Sequence, residues 1–137
     1  MPSSPRGGTT VVAVIWTVAG ALHLWIALDA AGTAVVLGFA LAAVAFVGAA
    51  ALIVEPRPEL LVAAAVAGVI GVGAFAIPLI LPLLGVGDPV ADPVSPWGVG
   101  GFLVDGLTVR LAAFTLRRAT ASRPSRPAGR SPGTPPR

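Results

Sequence analysis

The chain has 137 residues, of which 55% are hydrophobic and 11% are charged, and its mean hydropathy is +0.90. A soluble domain carries about 25% charged residues, and a small fold leaves much of its area in water. The composition therefore excludes an ordinary soluble domain and predicts a membrane protein. The sequence contains no cysteine, which excludes disulfides and thiolate chemistry, and its formal net charge is +3.

Four apolar segments follow one another along the chain. Each is close to the length of about 20 residues that a helix, rising about 1.5 Å per residue, needs to cross a hydrocarbon core. The segments lack the alternation of polar and apolar residues that is typical of barrel strands. We therefore predict an all-α, integral membrane four-helix bundle. The predicted helices cover residues 11–28, 34–54, 60–84 and 99–116.

Short breaks that are polar or rich in proline separate these segments, at residues 29–33, 55–59 and 85–97. Proline removes a backbone donor and disfavours helix at the residue before it. Pro78 and Pro82 lie in the last third of the third segment. They predict a kink in this helix or a loosening of its final turns.

The ends of the chain differ in character from the apolar middle. We predict a disordered leader over residues 1–10, a transmembrane domain over 11–118, and a disordered cytoplasmic tail over 119–137 that is rich in arginine and proline. The tail is interpreted as a solvated topology anchor. The alternative is an electrostatic contact with anionic lipids.

The first segment has one alternative interpretation. Arg6 followed by an apolar run has the shape of a signal peptide, and Ala19-Gly20-Ala21 offers a cleavage site. The apolar run continues to Leu28, however, which favours a retained first helix.

The placement of arginine predicts the orientation in the membrane. The leader holds one arginine, the second break holds one, and six follow residue 116, whereas the first and third breaks hold none. With four helices, the leader, the second break and the tail share one side. Because short loops rich in arginine stay on the cytoplasmic side, we expect a multi-pass protein of the cell membrane with both termini in the cytoplasm.

Three ionisable residues lie at membrane depth: His23, Asp105 and Arg110. Each costs about 2.5–3.5 kcal/mol on insertion scales and so requires an explanation. Asp105 shares a helix face with small and polar residues, and His23 shares one with small residues. The face of Asp105 holds Gly98, Gly101, Thr108 and Ala112, and the face of His23 holds Ala19, Gly20, Ala27 and Ala30. Both side chains are therefore expected to point into the bundle.

His23 and Asp105 are also expected at similar depth. His23 lies five residues before Leu28 and Asp105 eight residues after Trp97, which places both roughly 8–12 Å below the outer boundary. We hypothesise that they form an intramembrane polar pair. The alternative is that each bonds to a backbone carbonyl, a hydroxyl or a water. A structural hydrogen bond is the favoured role of the pair, and a proton or ion relay is the alternative.

Arg110 is predicted to serve a different purpose. It lies about 140° around the helix from Asp105, so the two do not share a face. Its long side chain is expected to snorkel toward the cytoplasmic headgroups.

No motif for chemistry is found along the chain. There is no nucleotide-binding loop, no cluster of metal ligands and no nucleophilic triad. We expect no catalytic, cofactor-binding or metal-binding residue, and no enzyme activity. Gly38, Gly68, Gly71 and Gly73 predict close packing of helices instead.

The stretch Ala19-Gly20-Ala21-Leu22-His23-Leu24 resembles the G-x-x-H-L stretch of certain small, uncharacterised four-helix membrane proteins of GC-rich prokaryotes. The charged break at 55–59 and an acidic residue in the last helix are also similar to that group. The long third break and Arg110 depart from its pattern. The resemblance implies the same topology and no particular activity.

These observations predict a structural, accessory or partner-binding component of the membrane. The alternative is a subunit of a small oligomeric transporter or channel that uses Asp105 and His23. The expected partners are the lipid bilayer and either further copies of the chain or another membrane protein, and no nucleic acid.

Overall fold

The computed structural model describes residues 5–86 and 95–121, of which 91% are helical and none form a strand. The helices are α1 (Pro5–Asp29), α2 (Thr33–Val54), α3 (Pro58–Ile80) and α4 (Pro96–Ala121). A short 3₁₀ turn, Pro82–Leu84, follows α3.

The four helices form an antiparallel bundle in which neighbours in sequence are neighbours in space. α1 packs against α2 and α4, and α3 packs against α4 and less extensively against α2. α1 and α3 also touch across the bundle. The contact between α4 and α1 therefore joins the last helix to the first, so that each helix packs against two neighbours.

Small residues fill the interior and large apolar residues cover the outside. The buried cluster is mostly alanine, joined by Val12, Trp16, Leu52 and Leu61. Valine, leucine, isoleucine and phenylalanine side chains are exposed along all four helices. Small interior residues let the backbones approach closely, and an apolar exterior suits lipid rather than water.

All four helices are long and apolar enough to cross a membrane. For the described ranges, the prediction of an all-helical chain with four membrane-length helices is therefore confirmed. This architecture supports a multi-pass membrane protein.

The first helix starts earlier than predicted. α1 begins at Pro5, so residues 5–10 of the predicted disordered leader are helical. Proline is tolerated in the first turn of a helix, where its missing N–H has no partner to lose. Gly8 then lies close to Thr115 of α4: a Cβ on Gly8 would be 3.1 Å from the Thr115 side chain. Contact with another helix thus extends α1 beyond its apolar run.

The last two helices also have bounds that differ from the prediction. α3 ends at Ile80 rather than at residue 84 because Pro82 starts the 3₁₀ turn, while Pro78 stays inside the helix. α4 begins at Pro96, where the backbone N–H of Gly98 donates to Ser95 Oγ at 3.0 Å in an N-terminal cap. It continues through residues 119–121, the start of the predicted tail. The rest of the tail, residues 1–4 and residues 87–94 lie outside the described residues.

The packing of α1 against α2 generates a first prediction. The indole ring of Trp16 lies on the backbone of Gly48, where a Cβ would overlap the ring. We expect Gly48→Ala to lower the free energy of unfolding in detergent by about 1–3 kcal/mol, the usual cost of overpacking a filled core. Denaturant unfolding followed by tryptophan fluorescence measures this effect.

Gly106→Ala is the matched control, because a Cβ at Gly106 meets no atom within 4 Å. It should leave stability unchanged or raise it by up to about 1 kcal/mol through helix propensity. Equal stability of the two variants would show that the Trp16 ring does not restrict the size of the side chain at residue 48.

Candidate functional site

The buried face of α4 carries Asp105. Gly101, Asp105, Thr108 and Ala112 are the buried residues of this helix, and their spacing of four, three and four residues places them along one side. On α1, the buried residues Ala19 and Ala27 flank His23 at the same helical spacing. Each polar side chain is therefore directed into the bundle by small neighbours on its own helix.

The structure brings His23 and Asp105 together. His23 Nε2 lies 3.0 Å from Asp105 Oδ2 and 3.2 Å from Oδ1. The Asp105 side chain is 4% exposed and the His23 side chain 12% exposed. A carboxylate has no proton to donate, so with Asp105 ionised it is His23 Nε2–H that donates this hydrogen bond. The predicted contact between the first and last helices is thus present.

Gly71 of α3 contacts the Asp105 carboxylate. The Asp105 carboxylate lies directly against it: a Cβ on Gly71 would overlap Oδ2 and would be 2.6 Å from Cγ. One turn earlier, a Cβ on Gly68 would be 2.8 Å from the Asp105 backbone oxygen. Asp105 can occupy its position only because α3 presents glycine at both places, so three helices define the site.

Two pairs of aromatic rings lie closer than His23 and Asp105 do to the end of the bundle formed by the α1–α2 connection. Phe75 of α3 packs on Phe102 of α4 with ring centroids 5.3 Å apart. Trp25 and Trp97, nearer that end, have centroids 5.7 Å apart. Both ring contacts thus lie on the side of His23 and Asp105 that is nearer the α1–α2 connection.

The hydroxyl groups at membrane depth bond to their own helices. Thr108 Oγ1 donates to the Val104 carbonyl at 2.8 Å, and Thr17 Oγ1 donates to the Ala13 carbonyl at 2.9 Å. Among the described residues, every buried side-chain nitrogen and oxygen has a hydrogen-bond partner. These two hydroxyls are therefore satisfied within their own helices, whereas His23 and Asp105 are satisfied by each other.

Arg110 is not part of this site. Its side chain is exposed on the outer side of α4, away from the buried face that carries Asp105. The structure thus separates the three ionisable residues at membrane depth into one pair inside the bundle, with Asp105 buried and His23 partly buried, and one exposed arginine.

The chemistry available to the pair is narrow. No group of three or more histidine, cysteine, aspartate or glutamate residues that could hold a metal ion is present in the described ranges. A histidine and a carboxylate in contact can hold two helices together, or can pass a proton between ring and carboxylate.

Gly71 was predicted to serve helix packing, but its position against the Asp105 carboxylate was not predicted. Gly68 and Gly71 are spaced to share a face of α3, which is the signal for a close neighbour. The identity of that neighbour depends on how far α3 and α4 are displaced along each other, and spacing within one helix does not contain that quantity.

No protein-family profile, curated protein or solved structure matches this chain. The resemblance at the first helix to small four-helix membrane proteins therefore stays a prediction.

The contact between Gly71 and the carboxylate generates a second prediction. We expect Gly71→Ala to lower the free energy of unfolding by about 1–3 kcal/mol, since the new methyl group occupies the space of Asp105 Oδ2. In an Asp105→Ala background the same change should cost much less because the carboxylate is gone. Denaturant unfolding of the four proteins gives the coupling energy, which for residues in contact is about 0.5–3 kcal/mol.

The control for this cycle is Gly106→Ala in the same two backgrounds, where no coupling is expected since a Cβ at Gly106 has open space. A cost of Gly71→Ala that is identical with and without the carboxylate would contradict the assignment of Gly71 to the site.

Proposed function

We propose that this protein is a structural or accessory component of the cell membrane, in which the contact between His23 and Asp105 holds four helices in one arrangement. The observation that carries the proposal is that protein atoms enclose the Asp105 carboxylate. The Asp105 side chain is 4% exposed, rests on Gly71, and has His23 Nε2 within 3.2 Å of both of its oxygens. Such a site is filled by protein and suits helix attachment.

The energetics favour a role in specificity over one in bulk stability. A hydrogen bond between membrane helices contributes about 0.6 kcal/mol on average, because the separated helices also find polar partners. Removal of one partner has the larger effect, since it leaves the other buried without a hydrogen bond. The pair therefore acts mainly against arrangements in which α1 and α4 are apart or shifted.

A transporter or channel subunit that uses the same pair is the alternative. A proton relay requires a chain of groups that reaches both sides of the membrane. The hydroxyls of Thr17 and Thr108 bond to carbonyls of their own helices rather than to the pair. The described residues thus offer a single transfer step, which supports the structural role.

The accessory role has a further basis in the shape of the described chain. The α1–α2 connection covers residues 30–32 and the α2–α3 connection covers residues 55–57. Connections of this length have no room for a catalytic or receptor domain. Any protein partner of the described part would therefore contact the apolar helix surfaces or the short connections.

The orientation is also part of the proposal. In the antiparallel bundle, the start of α1, the α2–α3 connection and the end of α4 lie at one end. Arg57, Arg117 and Arg118 are exposed there, whereas Asp29 is exposed at the other end. The rule that arginine-rich short loops stay inside supports a cytoplasmic position for the arginine-bearing end and for both termini.

Cysteine labelling tests this orientation without background, because the natural chain has no cysteine. Ala31 and Pro56 are both exposed, in the α1–α2 and α2–α3 connections respectively. We expect a membrane-impermeant maleimide to label Ala31→Cys in intact cells and to label Pro56→Cys only after the cells are permeabilised. The cysteine-free protein is the control, and the reverse pattern would overturn the orientation.

A double-mutant cycle tests the role of the pair. We expect Asp105→Asn and His23→Ala each to lower the free energy of unfolding by roughly 1–3 kcal/mol, because each leaves a buried partner poorly satisfied. The free energy of unfolding of the double variant should be no lower than that of the less stable single variant. Denaturant unfolding in detergent measures the stabilities, and Asp29→Asn, an exposed acid at the end of α1, is the control that should remain stable.

The same variants distinguish the two functions when proton flux is measured in sealed vesicles. The structural role predicts flux no greater than in protein-free vesicles for the natural protein and for every variant. Equal stability of all variants, together with flux that Asp105→Asn abolishes, would overturn it in favour of the transporter.

A further inference from the structure

Arg110 is a charged group that the His23–Asp105 contact does not use. It lies on an exposed stripe of α4 that runs opposite the buried face. The stripe consists of Leu103, Leu107, Arg110, Phe114 and Arg117, spaced four, three, four and three residues apart, and all five are exposed. We name these residues the outer stripe of α4.

The outer stripe is polar at one end and apolar at the other. Leu103 and Leu107 lie in the N-terminal half of α4, and Arg117 lies in its last two turns. Arg110 is seven residues before Arg117, which corresponds to about 10 Å along the axis. Its Cα therefore lies well inside the span, while its side chain is long enough to reach back toward the end that carries Arg117.

A guanidinium at this depth requires hydrogen-bond acceptors, because it carries five N–H donors and no acceptor of its own. The acidic residue of α4, Asp105, lies on the buried face and contacts His23. Phe114, one turn after Arg110, has an exposed ring, and the guanidinium carbon of Arg118 is 4.4 Å from the ring centroid. The end of the stripe thus gathers cationic groups and offers no carboxylate on the same helix face.

From this arrangement we infer that the outer stripe of α4 is a binding site for an anionic phospholipid. The inference rests on the membrane placement of the proposed function. Arg110 and Arg117 contact the phosphodiester of the headgroup, which accepts two hydrogen bonds from a planar guanidinium. One acyl chain runs from the arginines toward the middle of the membrane, along Leu107 and in the direction of Leu103.

The direction of the stripe fits a membrane amphiphile such as a phospholipid and does not fit a soluble anion of the same charge. A phospholipid also places its anionic group at the membrane boundary and its apolar chains toward the centre, in the same order as Arg117, Arg110, Leu107 and Leu103. A soluble phosphate would match the arginines alone. The headgroup is anionic rather than zwitterionic because the exposed face of α4 has no acidic side chain to receive a headgroup amine.

Competition between two lipids tests the inference. Phosphatidylglycerol and phosphatidylcholine with identical acyl chains are titrated into the detergent-solubilised full chain, and native mass spectrometry gives the binding constant of the first lipid of each kind. We expect the natural protein to prefer phosphatidylglycerol. Arg110→Gln should reduce this preference about five-fold, the equivalent of about 1 kcal/mol for one arginine near a lipid surface.

Arg57→Gln is the matched control. Arg57 is an exposed arginine at the same end of the bundle, but it lies in the α2–α3 connection, where its guanidinium donates to Glu55 at 2.7 Å. It should retain the preference of the natural protein. The arginines of residues 122–137 are the same in every variant, so their contribution to lipid binding cancels in the comparison.

Arg110→Lys distinguishes the loss of the positive charge from a general effect of substitution on folding. It keeps the cation and should retain more of the preference than Arg110→Gln. The inference is overturned if Arg110→Gln keeps the full preference, if Arg57→Gln loses as much, or if Arg110→Lys falls as far as Arg110→Gln. A natural protein that is extracted from membranes without detergent would overturn the membrane placement as well.

Discussion

The contact between His23 and Asp105 joins the first helix of the bundle to the last, across 82 positions of the chain. In a hydrocarbon environment, apolar side chains gain little by leaving lipid for protein, so burial alone does not select one arrangement of helices. A buried carboxylate does select, because it is costly wherever it has no partner. The facing of α1 and α4 and their displacement along each other both follow from the need to keep these two side chains within hydrogen-bond distance.

The small residues of the interior follow from the same requirement. An aspartate side chain is short, so its carboxylate reaches His23 only when the helix backbones are close. On α3, Gly68 and Gly71 leave space for α4 and its carboxylate, and on α2, Gly38 permits a close approach to α1, where a Cβ would be 2.7 Å from Ala27. Polar contact and close packing are therefore two parts of one arrangement: the glycines bring the helices near enough, and the pair determines which close arrangement is kept.

Much of this architecture could be predicted from the sequence because membrane thickness sets helix length. The apolar runs gave the number of helices, and the distance of His23 and Asp105 from their helix ends predicted that they lie at the same depth. The helix ends were predicted less well. α1 begins at Pro5 because of a contact with α4, and contacts between distant segments leave no local signal. The start of α4 differs in this respect, since Ser95 followed by Pro96 is a recognisable cap that hydropathy alone overlooked.

α4 shows how one helix can carry two charged residues at membrane depth. Asp105 faces protein, where a partner can be positioned to within a fraction of an ångström, and its short side chain suits a fixed partner on a neighbouring helix. Arg110 faces outward, where the surroundings are fluid, and its long flexible side chain suits an acceptor whose position is not fixed by the fold. The angle of about 140° between them keeps the opposite charges from neutralising each other. Had they shared a face, the guanidinium would have competed with His23 for the carboxylate oxygens. The separation of the two charges on one helix thus leaves both oxygens of Asp105 to His23, the polar attachment of α1 to α4.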